Sequence, residues 1–419
     1  MRIILKVILA ILVLLLIHKP EFIFIPRSIN TFFGIVGFLV YLIDSKYRNR
    51  IVHGHLFRFN QYAIFYLPTL FMAIFSCLIN YPCETYYVTL IFSIFFAYYA
   101  NYLLARLSFV IYGEYTLRIF IKYFIIAEMI YLTVSIMMFA DSSIRDLILS
   151  LLKVDTIKEA SLERSEGFRI QGFGASFYGA GIVNGFFLII LASCLSTIKW
   201  NNITKSLLYL LYIVVTVIGM MMARTTMIGA LLGVLIIVIC FKHSLNEWVK
   251  NSITVMIVLG VALNLFDVAM QSANFDIDTL YNFAFEMFVN YAEKGEITTS
   301  SSTEMWDMYS TIPTTLKTWL IGDALWMSPD GGYYKHVDIG YLRALWYFGL
   351  LGTSMLFLYY YKTIKRTVYL NQLFGKRSRF IALILFVYVL SLNLKGPCDL
   401  FYYLAPLMFI NLGAVTKSD

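Results

Sequence analysis

The chain has 419 residues, of which 60% are hydrophobic and 14% charged, and its formal net charge is +8. A soluble domain carries roughly a quarter charged residues, and no soluble fold of this length hides so much apolar surface. The composition therefore excludes a water-soluble module, and it makes the positive charge a matter of topology and anionic lipid rather than of nucleic acid.

Lipid cannot satisfy a free backbone amide, so each crossing of a bilayer needs about 20 mostly apolar residues in helix. Twelve stretches are expected to do this: 3–17, 29–43, 62–79, 86–107, 119–139, 177–198, 206–222, 227–241, 253–270, 341–361, 380–394 and 401–415. Several are short and must tilt little. The first has Arg2 and Lys6 ahead of an apolar run, as a secretion signal has. It lacks a small-x-small cleavage site and runs into His18, Lys19 and Pro20, so it is expected to persist as a span. The expected fold is an all-α polytopic membrane protein, one transmembrane domain over residues 1–419.

Orientation follows from where the cations fall. With the N-terminus inside, the cytoplasmic side takes 20 of the 33 Lys and Arg residues and four acids, including the cluster Lys362, Lys365, Arg366, Lys376, Arg377 and Arg379. The outer side then holds 13 cations and 20 acids, and Glu128 stays within a span. Both termini are expected in the cytoplasm. The inner loops are too short for a nucleotide-binding domain and carry no P-loop, so ATP is not used directly.

Two outer segments exceed a turn, residues 140–176 and 271–340. In the first, Ile144, Leu147, Ile148, Leu151, Leu152 and Val154 recur at helical spacing, which predicts a helix lying in the membrane interface. The second has a similar patch around Leu280, Phe283, Met287, Val289 and Tyr291, which the Thr/Ser run at 298–303 is expected to break. Such loops suit capture of a substrate anchored in the outer leaflet, or they rest on their own helices. The five cysteines lack metal-ligand spacing, so no metal is expected; Cys83 and Cys398 near the outer face allow a disulfide.

The outer cations mark the candidate site. Arg224 sits in a tight Ala-Arg-Thr-Thr turn. A guanidinium held at the membrane surface seeks an anion, and its planar fork fits phosphate oxygens; the alternative is a snorkelling arginine. Arg164 and Arg169 precede the sixth span, with Gly167, Gly172 and Gly174 allowing close approach of a ligand. Arg164 has Glu163 and Glu166 as local partners, which leaves Arg169 as the anion binder. Gly181 and Gly185 form a small-xxx-small helix contact. Lys335, His336, Asp338 and Arg343 gather a base and an anion binder ahead of the tenth span, and Lys395 adds a cation from the next outer turn. Asp338 or His336 can accept a proton from a hydroxyl, although Asp338 can equally cap the helix that follows. Trp306, Tyr309, Trp326, Tyr333 and Tyr334 offer rings for stacking on sugars.

The outer arginine before a span, the Ala-Arg-Thr turn, and above all Asp338-Ile-Gly-Tyr-Leu-Arg followed by Tyr347-Phe-Gly-Leu-Leu-Gly352 and Lys395-Gly-Pro resemble the Wzy-type O-antigen or capsule repeat-unit polymerases. The likeness in hydropathy covers nearly the whole chain; the motif likeness covers only these pieces. The related O-antigen ligases carry a His-Asn pair where this chain has Asp338-Ile339, which favours a polymerase.

The resemblance implies a GT-C-like helix bundle in a bacterial inner membrane, with its active site facing the periplasm. It implies metal-independent glycosyl transfer without a cofactor. The growing glycan on undecaprenyl pyrophosphate is the donor and a single lipid-linked repeat unit the acceptor; a chain-length regulator protein is an expected partner, beside membrane lipids. It implies pyrophosphate binding by Arg169 and Arg224 with Arg343 and Lys395 in support, and acceptor activation by Asp338 or His336. A lipid-linked oligosaccharide flippase is the alternative of another class, with no internal repeat to support it.

Overall fold

The computed structural model describes residues 2–25, 27–45, 58–153, 169–240, 277–296 and 298–410. Among them the chain forms helices and no strand. In order these are α1 (Arg2–His18), α2 (Ile29–Ile43), α3 (Arg58–Ile79), α4 (Tyr86–Tyr112), α5 (Leu117–Ala140), α6 (Ser142–Ser150), α7 (Tyr178–Thr197) and α8 (Asn202–Met222). There follow α9 (Thr226–Cys240), α10 (Ile277–Lys294), α11 (Ser300–Tyr309), α12 (Leu316–Ile321), α13 (Gly340–Ile364), α14 (Ser378–Asn393) and α15 (Phe401–Leu404). Among the described residues, six helices have the length and apolarity to cross a membrane: Phe59–Ile79, Tyr86–Tyr112, Leu117–Ala140, Tyr178–Thr197, Asn202–Met222 and Gly340–Leu370, while α2 and α9 are apolar but shorter. The protein is an all-α membrane protein. The expected span 253–270, Arg164, Gly167, Val154 and residues 411–415 lie outside the described residues.

Contacts divide the chain into two compact units. One joins residues 1–123 to 300–419 and the other holds residues 124–299, so that the division falls within α5. In the first unit α3 packs on α13. The Ser76 hydroxyl donates to the Tyr347 carbonyl at 2.8 Å, and the Tyr66 and Tyr359 rings meet edge to face at 5.1 Å.

Helix α13 is not continuous. Phe348 and Gly349 leave helical geometry, with φ at 68° for Gly349, a conformation a side chain would strain. The break leaves carbonyls without intrahelical donors, and a membrane protein must satisfy these internally. The backbone N–H groups of Asp323 and Ala324 supply the need, donating to Trp346 and Tyr347 at 2.7 and 2.9 Å. Helix α12 lies directly against the break, since a Cβ on Gly349 would stand 2.3 Å from the Leu320 carbonyl carbon. Beyond Ile364 the helix runs on as a π-helical segment, Lys365–Leu370, so Lys365 and Arg366, expected in a cytoplasmic loop, are helical.

The twelfth expected span also differs. Its described part is the single α-helical turn α15 followed by a 3-10 segment, Ala405–Phe409. Pro406 has no N–H to continue the α ladder, and the segment is buried, with Phe409 4.7 Å from the Tyr98 ring of α4.

In the second unit α7 is buried over nearly its whole length. The small-residue face lets α9 approach closely: a Cβ on Gly229 would lie 2.2 Å from Gly185 Cα. Helix α6 covers part of the amphipathic stretch. Asp141 caps it by accepting from Ser143 N at 2.8 Å, and Leu147 in it and Leu151 just after it are 64% and 44% exposed. The 298–303 run interrupts the helices only briefly, because α11 begins at Ser300. All five cysteines are free, including Cys83 and Cys398.

Candidate functional site

In the second unit the Ala-Arg-Thr turn is built on the C-terminus of α8. The last carbonyls of a helix lack intrahelical donors, and here the segment before α7 supplies two. Ile170 N donates to the Met221 carbonyl at 3.3 Å and Arg169 Nε to the Met222 carbonyl at 2.8 Å. Those bonds carry the Arg169 guanidinium to the turn that holds Arg224.

Both guanidinium groups then lie over one ring, Phe283 of α10, Arg169 at 4.8 Å and Arg224 at 4.7 Å. Arg169 also stands 5.1 Å from the Phe177 ring. Burial, and next the charge of Arg224, lower the pKa of Arg169 to about 10. Arg224 forms an ion pair with Glu286 of α10, a partner nonlocal in sequence that the reading of motifs missed. Arg169 is bonded to no carboxylate among the described residues. Two like charges over one ring, with one acid paired to them among the described residues, make this place electropositive. Gly172 serves packing rather than a ligand: the Tyr131 hydroxyl, which donates to the Ala175 carbonyl, occupies the space its side chain would take.

In the first unit the candidate residues surround the start of α13. Val337 and Ile339 are buried in a cluster with Leu342, Leu345 and Trp346, against which Met305, Met308 and Tyr309 of α11 pack. The backbone is extended at Val337 and Ile339, so the intervening Asp338 points to the other side. Gly340 is packed so tightly on the turn after α14 that a Cβ would stand 2.5 Å from Asn393 Oδ1. That turn is fixed by Asn393, whose amide donates to the Val389 and Cys398 carbonyls at 2.9 and 3.3 Å. It carries Lys395, which donates to Ser301 at 3.3 Å.

Asp338 does not cap α13, which begins at an Ile339 N-cap with no side-chain bond. Burial raises its pKa, while Lys395 and then Arg343 pull it down and Glu304 pushes it up. Desolvation outweighs both cations, so the net shift is upward.

Arg343 is only 4% exposed and pairs with no carboxylate among the described residues. Its guanidinium lies 3.5 Å over Trp326 and 3.8 Å over Tyr333, and it donates to the Trp326 carbonyl at 3.1 Å. Trp326 is stacked in turn on Tyr86 at 3.9 Å, with 6° between the planes. The Glu84 carboxylate accepts from Trp326 N and Met327 N at 2.6 and 2.9 Å. Arg343 therefore holds the 323–338 loop to the start of α4, and both faces of its guanidinium are covered. The same stack removes Trp326 as a platform for sugars. Tyr334 is engaged by Asp323 at 3.1 Å, which leaves Trp306, 67% exposed, as the open ring.

His336 is not beside Asp338's charged neighbours. Its side chain is 76% exposed and its Nε2 lies 3.7 Å from Asp330 Oδ2. A titratable pair that no motif signals stands elsewhere in this unit. Lys19, over the Tyr402 and Tyr403 rings at 3.9 and 4.3 Å, is lowered to about 7 by burial. Asp399 is raised to about 6 by burial, against a Phe401 N–H and Lys19.

Arg343→Ala should free the 323–338 loop, which hydrogen exchange would read as faster exchange of the Trp326 and Met327 amides. Arg343→Lys should restore only part of the protection, since an ammonium is not planar and stacks less well. Unchanged exchange in the alanine variant would contradict the role.

No family model, curated protein or solved structure matches this chain.

Proposed function

We propose that the protein is a Wzy-type polymerase, which joins undecaprenyl-pyrophosphate-linked repeat units at the periplasmic face of a bacterial inner membrane. In this reading it spans the membrane twelve times with both termini in the cytoplasm. The observation that carries the proposal is the meeting of Arg169 and Arg224 on Phe283. These residues are 55 positions apart, and both were singled out by their motifs as binders of a diphosphate.

The chemistry asks little of the protein. A sugar hydroxyl of the acceptor attacks the anomeric carbon of the donor chain, the bond from that carbon to the pyrophosphate oxygen breaks, and the lipid pyrophosphate leaves with the electron pair. Arg169 and Arg224 stabilise the charge that develops on the departing group. The attacking hydroxyl gives its proton to a carboxylate, the role that the motif assigns to Asp338. Lys395 favours the ionised form of that carboxyl. Arg343 acts on this reading through the loop it holds, and His336 is left outside the chemistry. The pyrophosphate is already a good leaving group, so positioning supplies much of the rate. Asp338-Ile339, where the ligases carry His-Asn, favours polymer growth over transfer to lipid A core.

A topology reporter fused within residues 298–303 should read periplasmic; a cytoplasmic signal there would overturn the orientation. Arg224→Ala should abolish polymer in cells at normal protein level, leaving single repeats on the lipid A core, and Arg224→Lys should rescue poorly, because a point charge cannot reproduce the two-pronged contact. Full polymer in the alanine variant would remove the diphosphate role.

Asp338→Asn should cut turnover by roughly 100-fold. Because burial raises the pKa of Asp338 and the carboxylate is the active form, activity should fall on acidification above the usual carboxylate range. Lys395→Met should move that limb to still higher pH, since the ammonium opposes the rise. Chain growth by the asparagine variant at the wild-type rate would hand the acceptor to positioning alone.

A further inference from the structure

The basic cluster at residues 362–379 has a shape that the proposed reaction does not use. Between the end of α13 and the start of α14 lies an open cleft of about 780 Å3, within the roughly 300–1,000 Å3 of small-molecule sites. Its charged lining is Lys365, Lys376 and Arg379, and no acid lines it. None of the three pairs with a carboxylate among the described residues. Neighbouring Arg366 is engaged elsewhere, donating to Gln61 at 2.6 Å.

The two helices that wall the cleft have the same polarity. On α13, Tyr361 and Lys365 stand four residues apart; on α14, Arg379, Leu383 and Phe386 follow at four- and three-residue intervals and so share one face. Each helix thus runs from an apolar stretch to a cation at the loop end. The apolar parts adjoin, with Tyr361 and Phe386 edge to face at 5.4 Å, and Leu383 is 57% exposed. The π-helical turn Lys365–Leu370 swings Lys365 to the rim, with its ammonium 5.8 Å from the Tyr361 ring. The start of α14 adds the positive end of its dipole.

A cationic mouth over an aromatic and aliphatic wall matches one molecule of opposite layout, a phosphate carrying hydrocarbon chains. We propose that this cleft binds an anionic glycerophospholipid, with its headgroup phosphate on Lys365, Lys376 and Arg379 and an acyl chain along Tyr361, Leu383 and Phe386. On the topology proposed above, on which this placement rests, the site lies in the cytoplasmic leaflet, where anionic lipids meet basic pockets between helices. It is independent of the glycosyl transfer proposed above.

Native mass spectrometry of the purified full-length protein in detergent tests the assignment, with dioleoyl phosphatidylglycerol, dioleoyl phosphatidylcholine and glycerol phosphate as probes. The wild type should retain one phosphatidylglycerol in preference to phosphatidylcholine and should not retain glycerol phosphate. The triple substitution K365Q, K376Q, R379Q should weaken phosphatidylglycerol binding by about tenfold or more, while K199Q with K205Q, cations of the same side outside the cleft, should not. The charge-keeping triple K365R, K376R, R379K should bind as the wild type does, which controls for folding. Leu383→Ser should weaken the lipid without creating affinity for glycerol phosphate. Equal retention of phosphatidylglycerol by the wild type and the neutralised triple, or equal retention of both lipids, would mean annular lipid only and overturn the proposal. Binding of glycerol phosphate as tight as that of the lipid would make this a site for a soluble anion and overturn it as well.

Discussion

A guanidinium with 4% exposure and, among the described residues, no carboxylate partner has to be satisfied by aromatic faces and a carbonyl, and the loop before α13 and the start of α4 are arranged to do that for Arg343. Tyr86, Trp326, the guanidinium and Tyr333 follow one another at 3.9, 3.5 and 3.8 Å. A cation over a desolvated ring is worth about 2 kcal/mol or more, and this one has two. Glu84 fixes the backbone of Trp326 and Met327 from the other side. With that loop held, its backbone N–H groups at 323 and 324 reach the carbonyls freed by the break at Phe348–Gly349. Asp338 then emerges beside Lys395 at the start of α13. Loop, helix break and carboxylate thus depend on one buried charge.

Hydropathy made most of the helices legible, because lipid leaves the backbone no alternative partner and the signal is strong over 20-residue windows. The ends of α1, α2, α7 and α14 fall within about three residues of the expected bounds. Two departures have local causes. Gly349 sits in a run of Phe and Leu whose helical pattern reads straight through a single glycine, and Pro406 lies in a run whose hydropathy does not register a missing N–H. In both places polar backbone is satisfied from a segment distant in sequence or folded into a 3-10 turn, which periodicity cannot report.

The site was legible in part. Arg169 and Arg224 were picked out by turn chemistry, and both lie over Phe283, but Glu286, 62 residues beyond Arg224, carried no local signal. Arg343 and Trp326 were singled out as ligand contacts and instead occupy each other. His336 lay two residues from Asp338 in the sequence, a spacing that extended backbone would keep on one side, yet it faces Asp330, because the backbone at Lys335 and His336 is left-handed, with φ at 58° and 55°. Lys19 and Asp399 are separated by 380 positions, and only the packing of α1 near α15 reveals them as a pair.

The central claim is that the protein itself lengthens a lipid-linked glycan. It is tested most directly by reconstituting the purified chain in liposomes with synthetic undecaprenyl-pyrophosphate-linked repeat units, without ATP or nucleotide sugar, and sizing the products. The account predicts a ladder of glycans on the lipid carrier, with one free undecaprenyl pyrophosphate released for each unit added. Unchanged single units in the presence of folded protein, or their movement across the bilayer without elongation, would contradict it.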